Sequence, residues 1–231
     1  MKIYGLEKLS LVDYDGKIAS TVFTGACNFK CPFCHNSPLV TGLSTLNEMN
    51  EQDVLSYLAK RRGVLEGVCV SGGEPTLNAD LPNFIEKIKN LGFSVKLDTN
   101  GTNPQMIKSL FENGLVDYVA MDIKSDKPTY PLITDVKGLD LSSVEKSVEF
   151  LITSNYDYEF RTTLIKEFHD ELVMKNIAEW IKGAKTYALQ KFIPSENCIS
   201  TNLTEIKIDK AKEFLSIVSP SVKLAKLRGY E

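Results

Sequence analysis

The sequence lacks three features that would indicate a membrane, an export route or a nucleic acid. No apolar run approaches the roughly 20 residues that a membrane-spanning helix needs. The N-terminal segment Met1–Gly5 lacks the apolar core of a signal peptide. Basic residues do not dominate, since the net charge is −3, so no basic face indicates a nucleic-acid binder. We therefore expect a cytoplasmic protein with no membrane and no nucleic-acid partner.

The chain also lacks low-complexity segments and any linker that would divide it. Its apolar and charged shares are those of an ordinary globular protein. We expect one domain over residues 1–231. Its core is predicted at about residues 18–192, with a C-terminal helix and short strand at 207–228.

Cysteine is scarce, and its count argues against a disulfide framework. There are five cysteines, which is an odd number, and the chain has no secretory signal. The chain is also long enough to fold without stabilising disulfides. Cys69 and Cys198 lie far apart and show no partner pattern. We expect one to be a buried strand residue and the other a loop residue, so a second metal cluster is not predicted.

The other three cysteines fall within eight residues. Cys27, Cys31 and Cys34 are separated by three and then two residues, which lets one short loop turn three thiolates toward one point. A [4Fe–4S] cube is normally held by four cysteines, so three would leave one iron open to a small molecule. The alternative is structural zinc with His35 as the fourth ligand, although adjacent residues such as Cys34 and His35 rarely reach the same ion well.

Strand-like and helix-like segments alternate along the chain. Strands are predicted at residues 18–24, 67–71, 93–97, 116–121, 158–165 and 186–192. Helices are predicted at about residues 50–62, 80–91, 103–114, 142–154, 170–182 and 209–218, with a long loop at 125–140 and a short edge strand at 222–227. Six βα units imply a parallel sheet with right-handed crossovers, and they are too few to close an eight-stranded barrel. The predicted fold is α/β, a partial (β/α)6 barrel with its sheet open on one side; a doubly wound sheet is the alternative.

Several helix starts are predicted from capping residues. Asn50, Asn103 before Pro104, and Asp170 are expected to cap helices. Ser142–Glu145 reads as a capping box.

Residues suited to chemistry follow the carboxyl ends of successive predicted strands. Besides the cysteine loop, they are Gly72–Glu74, Asp98, Asp122 with Lys124, and Gln190. Active sites of barrels and open sheets are built on that face. Taken singly, Asp98 could be a turn residue, and Glu74 and Lys124 could belong to a surface ion pair. Five such positions on one face favour a binding site.

The spacing of Cys27, Cys31 and Cys34, with Phe33 before the third cysteine, resembles the signature of the radical S-adenosylmethionine (SAM) enzymes. Such a resemblance implies a partial barrel that holds a [4Fe–4S] cluster through the three cysteines. It also implies that the amino and carboxylate groups of SAM chelate the open iron.

The continuation His35-Asn36 resembles the glycyl-radical-enzyme activases in particular. The longer type of anaerobic ribonucleoside-triphosphate reductase activating protein is the most similar, over about Leu9 to Gly229. In such an activase, one electron from the reduced cluster cleaves SAM to methionine and a 5′-deoxyadenosyl radical. The radical then removes a hydrogen atom from a backbone glycine of a partner enzyme.

The resemblance and the residue chemistry together give the predicted SAM contacts. Glycine lets the backbone approach the amino-acid part of SAM closely. Carboxylates suit its ammonium and ribose hydroxyls, and a lysine suits its carboxylate. The predicted contacts are Phe33, His35, Gly72, Gly73, Glu74, Asp98, Asp122, Ile123, Lys124 and Gln190. Gln190 departs from the formate-lyase activase pattern, which has a histidine-containing stretch there.

The implied partners are a glycyl radical enzyme, with anaerobic ribonucleotide reductase expected, and a flavodoxin- or ferredoxin-type electron donor. Asp15 resembles the activase position that helps hold the glycine loop. Arg161 is a further candidate for contacting the partner peptide or SAM.

Two other functions stay open. One is a small-molecule radical SAM enzyme such as a 7-carboxy-7-deazaguanine synthase-like protein, although the Gln-Gly-Glu-Gly stretch of that family is missing. The other is a non-enzymatic iron–sulfur or zinc module, which would have no use for Gly72–Glu74, Asp122 and Lys124.

Overall fold

The structure, a computed structural model, describes residues 1–230. Its strands are β1 Ile3–Ser10, β2 Ala19–Thr24, β3 Gly67–Gly72, β4 Ser94–Thr99, β5 Tyr118–Asp122, β6 Tyr158–Leu164, β7 Thr186–Lys191 and β8 Leu224–Arg228. Its α-helices are α1 Ser37–Thr41, α2 Glu51–Ala59, α3 Leu81–Asn90, α4 Pro104–Glu112, α5 Tyr130–Thr134, α6 Ser142–Thr153, α7 Glu171–Trp180 and α8 Ile208–Val218. Within residues 1–230 no helix is both long and apolar enough to cross a membrane.

The chain divides into two compact units, and the first comprises residues 1–28 and 38–120. Here β1 pairs antiparallel with β2, while β2, β3 and β4 are parallel. The apolar side chains of Val68, Val70, Val95 and Leu97 are fully buried. Helix α3 contacts β4 and buries its own apolar row. Because side chains alternate along a strand, Cys69 and Lys96, which are paired in the register, lie on the opposite face.

The second unit comprises residues 29–37 and the chain from Met121 onward. Strands β6, β7 and β8 are parallel neighbours, and α7 packs against α8. Phe160, Tyr187 and Leu189 are fully buried in its core. Part of the cysteine segment therefore belongs to this unit, although Cys27 belongs to the first.

Strand order follows the chain, as β1-β2-β3-β4-β5 in the first unit and β5-β6-β7-β8 in the second. The predicted α/β class and the six predicted strands, now β2 to β7, are confirmed. The doubly wound alternative is wrong, because that fold reverses its strand order partway. The single-domain prediction for residues 1–231 stays a prediction.

Two local predictions need correction, and one strand was not predicted. The strand is β1, which pairs with β2 as an antiparallel edge strand. The predicted loop 125–140 contains α5, whose Pro131 falls in the first turn, where proline is tolerated. The capping box at Ser142 is also wrong, since Ser142 is already helical and the carboxylate of Asp140 accepts from its backbone N–H at 2.9 Å.

Candidate functional site

The cysteine loop begins with a backbone conformation that few residues adopt. Ala26 lies just after the end of β2 and has a φ of 66°. This left-handed region is unfavourable for any residue that carries a Cβ atom. Two backbone hydrogen bonds hold it there: Ala26 N–H donates to Leu39 O at 2.8 Å, and Glu74 N–H donates to Ala26 O at 2.7 Å. The chain is therefore turned by tertiary contacts immediately before Cys27.

The glycines at the end of β3 are required by this loop. Gly72 has φ of 120°, and a Cβ there would overlap the backbone of Thr24. A Cβ on Gly73 would overlap the carbonyl of Ala26. The sequence suggested close approach of SAM as the reason for glycine, whereas the structure shows close approach of the protein's own backbone. A contact with SAM at Gly72 and Gly73 stays a prediction.

Glu74 is buried, and the surface ion pair considered for it is wrong. Its side chain is 1% exposed. One carboxylate oxygen accepts from Thr76 N–H at 3.1 Å and from the hydroxyls of Thr76 at 2.5 Å and Thr99 at 2.7 Å. The other accepts from Asn100 N–H at 2.6 Å. Burial raises the pKa of Glu74, and these hydrogen bonds oppose the rise. Glu74 joins the loop after β3 to the loop after β4.

Asn100 links Glu74 to the first cysteine. Its side-chain amide donates to Asn28 Oδ1 at 2.8 Å and to Cys27 Sγ at 3.9 Å. Sequence reasoning missed Asn100, because Asp-Thr-Asn-Gly reads equally well as turn chemistry. Only the contact in the folded protein shows that the Asn100 amide donates to Cys27, a predicted metal ligand.

Asp98 lies at the end of β4 with both carboxylate oxygens engaged by the protein. Oδ1 pairs with Lys96 Nζ at 2.5 Å, and Oδ2 accepts from Ser71 Oγ at 3.1 Å. Lys96 is another residue that the sequence did not indicate, since it falls inside a predicted strand.

In the second unit, a tight turn joins the other two cysteines. Cys34 N–H donates to Cys31 O at 3.0 Å, which closes the turn through Phe33. Cys31 and Phe33 are buried. Burial raises the pKa of the Cys34 thiol, and the ammonium of Lys124 opposes that rise.

A charged triad follows β5 in the same unit. The carboxylate of Asp122 pairs with Lys124 Nζ at 2.8 Å and with Arg161 Nε at 3.0 Å. The Lys124 ammonium also lies 5.5 Å from the centre of the Phe33 ring. Burial alone would lower the pKa of Lys124, but the charges of Asp122 and Cys31 raise it above its ordinary value. Two cations thus bracket one carboxylate beside the Cys31–Cys34 turn, a set suited to binding a carboxylate ligand.

The backbone of Asp122–Lys124 is fixed from several sides. Ile123 N–H donates to Arg161 O at 2.8 Å. The hydroxyl of Tyr130 donates to Asp122 O and accepts from Lys124 N–H, both at 3.3 Å. His169 Nε2 donates to Lys124 O at 3.0 Å.

His169, which packs against this segment, is buried. Its ring is 4% exposed, and Nδ1 accepts from Ile165 N–H at 3.0 Å. Burial lowers its pKa. A neutral imidazole that donates from one nitrogen and accepts at the other therefore holds the Lys124 backbone.

The loop after β7 lies over the cysteine segment. His35 Nε2 bonds Ile193 O at 2.6 Å, and Ser200 N–H donates to Pro32 O at 2.8 Å. Cys198 is buried in this loop, as the prediction of a loop residue allows, and its thiol donates to Phe33 O at 3.7 Å. Gln190, at the end of β7, is partly exposed.

Asp15 is not brought to the cysteine loop. It is exposed in the turn between β1 and β2, at the end of β2 opposite Cys27. A six-residue strand separates the two ends by about 20 Å. The peptide-holding role of Asp15 stays a prediction that the resemblance alone supports.

The donor chemistry fits an iron–sulfur cluster. None of the five cysteines forms a disulfide, and the turn that joins Cys31 to Cys34 brings two of the three motif residues into one short segment. Within residues 1–230 no three His, Cys, Asp or Glu side chains are already gathered as in a metal site. The joint role of Cys27, Cys31 and Cys34 therefore rests on their spacing.

Three sequence similarities bear on this site. Residues 21–181 match the family described as "Radical SAM superfamily". A protein of Methanocaldococcus jannaschii that carries the provisional name glycyl-radical enzyme activating enzyme is 33% identical over 202 residues, 84% of this chain and 81% of that protein. A protein of Thermococcus kodakarensis named as a GTP 3′,8-cyclase is 33% identical over 134 residues, but these are only 55% of this chain and 42% of that protein.

A solved structure supports the fold. It is a domain of pyruvate-formate lyase-activating enzyme from Bacteroides vulgatus, with a TM-score of 0.57 and 19% identity. The match covers 71% of this chain and 98% of that one. At this identity the likeness shows the fold alone, and it confirms the predicted partial barrel with a mainly parallel sheet that does not close.

Proposed function

Because this chain belongs to the radical SAM superfamily, we propose that it is an activating enzyme that forms a glycyl radical on a partner enzyme. The expected partner is anaerobic ribonucleotide reductase. The observation that carries this proposal is the three-cysteine loop, with Cys31 and Cys34 closed into a turn beside Lys124. Support for the class of substrate comes from the name of the M. jannaschii relative, which covers most of this chain.

Cys27, Cys31 and Cys34 would hold the [4Fe–4S] cluster that this superfamily uses together with SAM. When bound, the cluster supplies the single electron that cleaves the sulfonium of SAM. The chain's own contribution is to orient the ligands: Asn100 donates toward Cys27, and the turn through Phe33 fixes the other two thiols.

The charged triad would bind the amino-acid part of SAM. Lys124 provides an ammonium for the carboxylate, while Asp122 suits the ammonium or the ribose hydroxyls. Arg161 fixes one oxygen of Asp122 at 3.0 Å, so it would act on SAM through Asp122 before any contact with a peptide. Gly72, Gly73, Asp98, Ile123, Gln190 and the backbone of Phe33 to His35 remain proposed SAM contacts. Glu74 has its oxygens taken up by Thr76, Thr99 and Asn100, so we assign it to holding these loops.

An inserted peptide would complete the site, because a partner loop can itself exclude water from a reactive radical. A reduced flavodoxin or ferredoxin is the proposed electron donor. A cytoplasmic location, where thiols stay reduced, is part of the same proposal.

The test is reductive SAM cleavage by anaerobically reconstituted protein. Wild type should bind one [4Fe–4S] cluster and form methionine and 5′-deoxyadenosine slowly when alone. Cys31→Ala should abolish both cluster binding and cleavage, whereas the matched control Cys69→Ala should keep them. Full cleavage by Cys31→Ala would contradict the proposal.

The second candidate, a small-molecule radical SAM enzyme, is favoured by the similarity to a GTP 3′,8-cyclase over about half of the chain. The two candidates differ in what couples SAM cleavage to product. Anaerobic ribonucleotide reductase should accelerate 5′-deoxyadenosine formation if the activase proposal holds. Acceleration by a nucleotide, with none by the reductase, would support the second candidate.

A further inference from the structure

Lys96 is a buried lysine that no part of the proposed reaction uses. It lies in β4, and its side chain is 4% exposed. Its ammonium is 2.5 Å from Asp98 Oδ1 and 3.8 Å from the sulfur of Cys69 on the neighbouring strand. The neighbouring β4 residues Val95 and Leu97 point to the apolar face, so Lys96 and Asp98 share the other face of the sheet.

Asp98 is held from two sides by this arrangement. Lys96 engages one carboxylate oxygen and the Ser71 hydroxyl engages the other, at 3.1 Å. Ser71 and Cys69 lie on β3, whose register places Cys69 opposite Lys96. The rotation of the Asp98 carboxylate is therefore fixed by two strands at once. Asp98 itself is 18% exposed, so its outer side is accessible where the strand ends.

Stability does not explain why a lysine occupies this position. Burying an ammonium costs several kcal/mol, and replacing a buried ion pair with apolar side chains is often neutral or stabilising. Methionine has a similar length and no charge to desolvate, so it could fill the same space beside Cys69. The pair is better explained by its effect on the partly exposed carboxylate of Asp98.

We propose that Lys96 is a positioning residue, which fixes and charges Asp98 so that this carboxylate accepts hydrogen bonds from a neutral donor on the substrate. A carboxylate accepts up to about four hydrogen bonds, so Asp98 fixed by Lys96 and Ser71 is able to accept from a ligand as well. The charge of Asp98 disfavours an anionic group, and the Lys96 ammonium at 2.5 Å offsets its attraction for a second cation. The ligand group is therefore a hydroxyl or an amide N–H.

Two sources supply such a donor: the ribose hydroxyls of SAM and the backbone N–H groups of a partner peptide. This inference rests on the proposed function, which puts both molecules at the carboxyl ends of the strands, where Asp98 lies. The test therefore measures SAM affinity and the KM for the partner reductase separately.

The experiment compares cluster-loaded wild type with Lys96→Met, Lys96→Arg, Asp98→Asn and the double variant Lys96→Met/Asp98→Asn. SAM binding is measured at equilibrium under anaerobic conditions. Lys96→Met and Asp98→Asn should each weaken one ligand by about tenfold, the loss expected for one charged hydrogen bond. The double variant should lose no more than either single variant, because Lys96 acts through Asp98. Lys96→Arg should recover affinity to within about threefold, since it keeps the charge.

A loss in SAM affinity identifies the ribose as the donor, and a loss confined to the partner's KM identifies the peptide; either supports the role of Lys96. The inference is overturned if Lys96→Met stays within twofold of wild type in both measurements. It is also overturned if the double variant loses the product of the two single losses. Lys96→Gln serves in place of the methionine variant if circular dichroism shows that the latter does not fold. If the wild type binds no SAM, the proposed function itself is contradicted. If the wild type binds SAM and Lys96→Met matches it in both measurements, only this inference is contradicted.

Discussion

Replacing Glu74 by alanine tests whether this carboxylate holds the loops together or binds SAM. The sequence predicted a direct SAM contact, but the structure gives the 1% exposed side chain four hydrogen bonds within the protein. Glu74→Ala would leave two backbone donors, Thr76 N–H and Asn100 N–H, without their acceptor. The two threonine hydroxyls can rotate toward other acceptors, so they contribute less.

The expected loss follows from these contacts. Each buried donor left without a partner costs about 1–3 kcal/mol, so two give about 2–6 kcal/mol. Burial raises the pKa of Glu74, which means that its charged form is disfavoured, and alanine relieves that cost. We therefore expect the lower part of the range, about 2–4 kcal/mol. In a protein of this size that lowers Tm by about 4–16 °C.

The assay is thermal unfolding of cluster-free protein, followed by circular dichroism under anaerobic, reducing conditions. Glu112→Ala is the matched control, because that glutamate is 55% exposed in a helix pair with Lys108 at 3.7 Å. It should change stability by no more than about 0.5 kcal/mol. A Glu74→Ala protein that melts within 1–2 °C of wild type but has lost SAM affinity would refute the structural role and restore the direct contact.

Asn100→Ala should lower the reduction potential of the cluster by roughly 20–60 mV in a redox titration, because a hydrogen bond to a ligand sulfur is worth about 0.5–1.5 kcal/mol; an unchanged potential would show that the 3.9 Å contact with Cys27 does not act on the metal. His169→Gln should flatten the dependence of stability on pH: the pKa of His169 is lowered from its ordinary 6.5, so the wild type gains stability as pH rises toward 6.5 and loses it as pH falls below, since only the unfolded chain takes up the proton there. The free energy of unfolding of His169→Gln is measured by denaturant titration at several pH values. If it rises with pH over that window as steeply as that of the wild type, the neutral, buried imidazole is contradicted. Asp15→Asn should raise the partner's KM and leave SAM affinity within twofold of wild type if Asp15 holds the peptide as the resemblance suggests; a KM that also stays within twofold would instead agree with its position at the far end of β2 and contradict that role.

Much of the fold could be predicted because its signals are local. Asn50, Asn103 and Asp170 cap helices as expected, each accepting from a backbone N–H two or three residues later. The hydrophobic spacing of α3 also predicted its buried face. Strand β1 was not predicted, because Gly5 and the charged residues of the strand break the alternation of apolar and polar side chains. The pairing of β1 with β2 also depends on residues that are distant in the sequence.

The candidate site was predicted less completely, for a related reason. The cysteine spacing and the position of Asp122 and Lys124 after a strand are visible in the sequence. The residues that hold them, Asn100 and His169, are visible only in three dimensions, because their function depends on which backbone atoms they reach. Glu74 shows the same limit, since neither periodicity nor composition separates a carboxylate that faces a ligand from one that is buried in a loop network.

The central claim is that this protein places a radical on a glycine of another protein. The direct measurement is electron paramagnetic resonance of anaerobic ribonucleotide reductase after anaerobic incubation with the cluster-loaded protein, SAM and a reductant. We expect a stable glycine-centred doublet, which collapses to a singlet when the reductase carries deuterated glycine, together with gain of reductase activity. The claim is contradicted if 5′-deoxyadenosine accumulates while the reductase gains neither the signal nor activity.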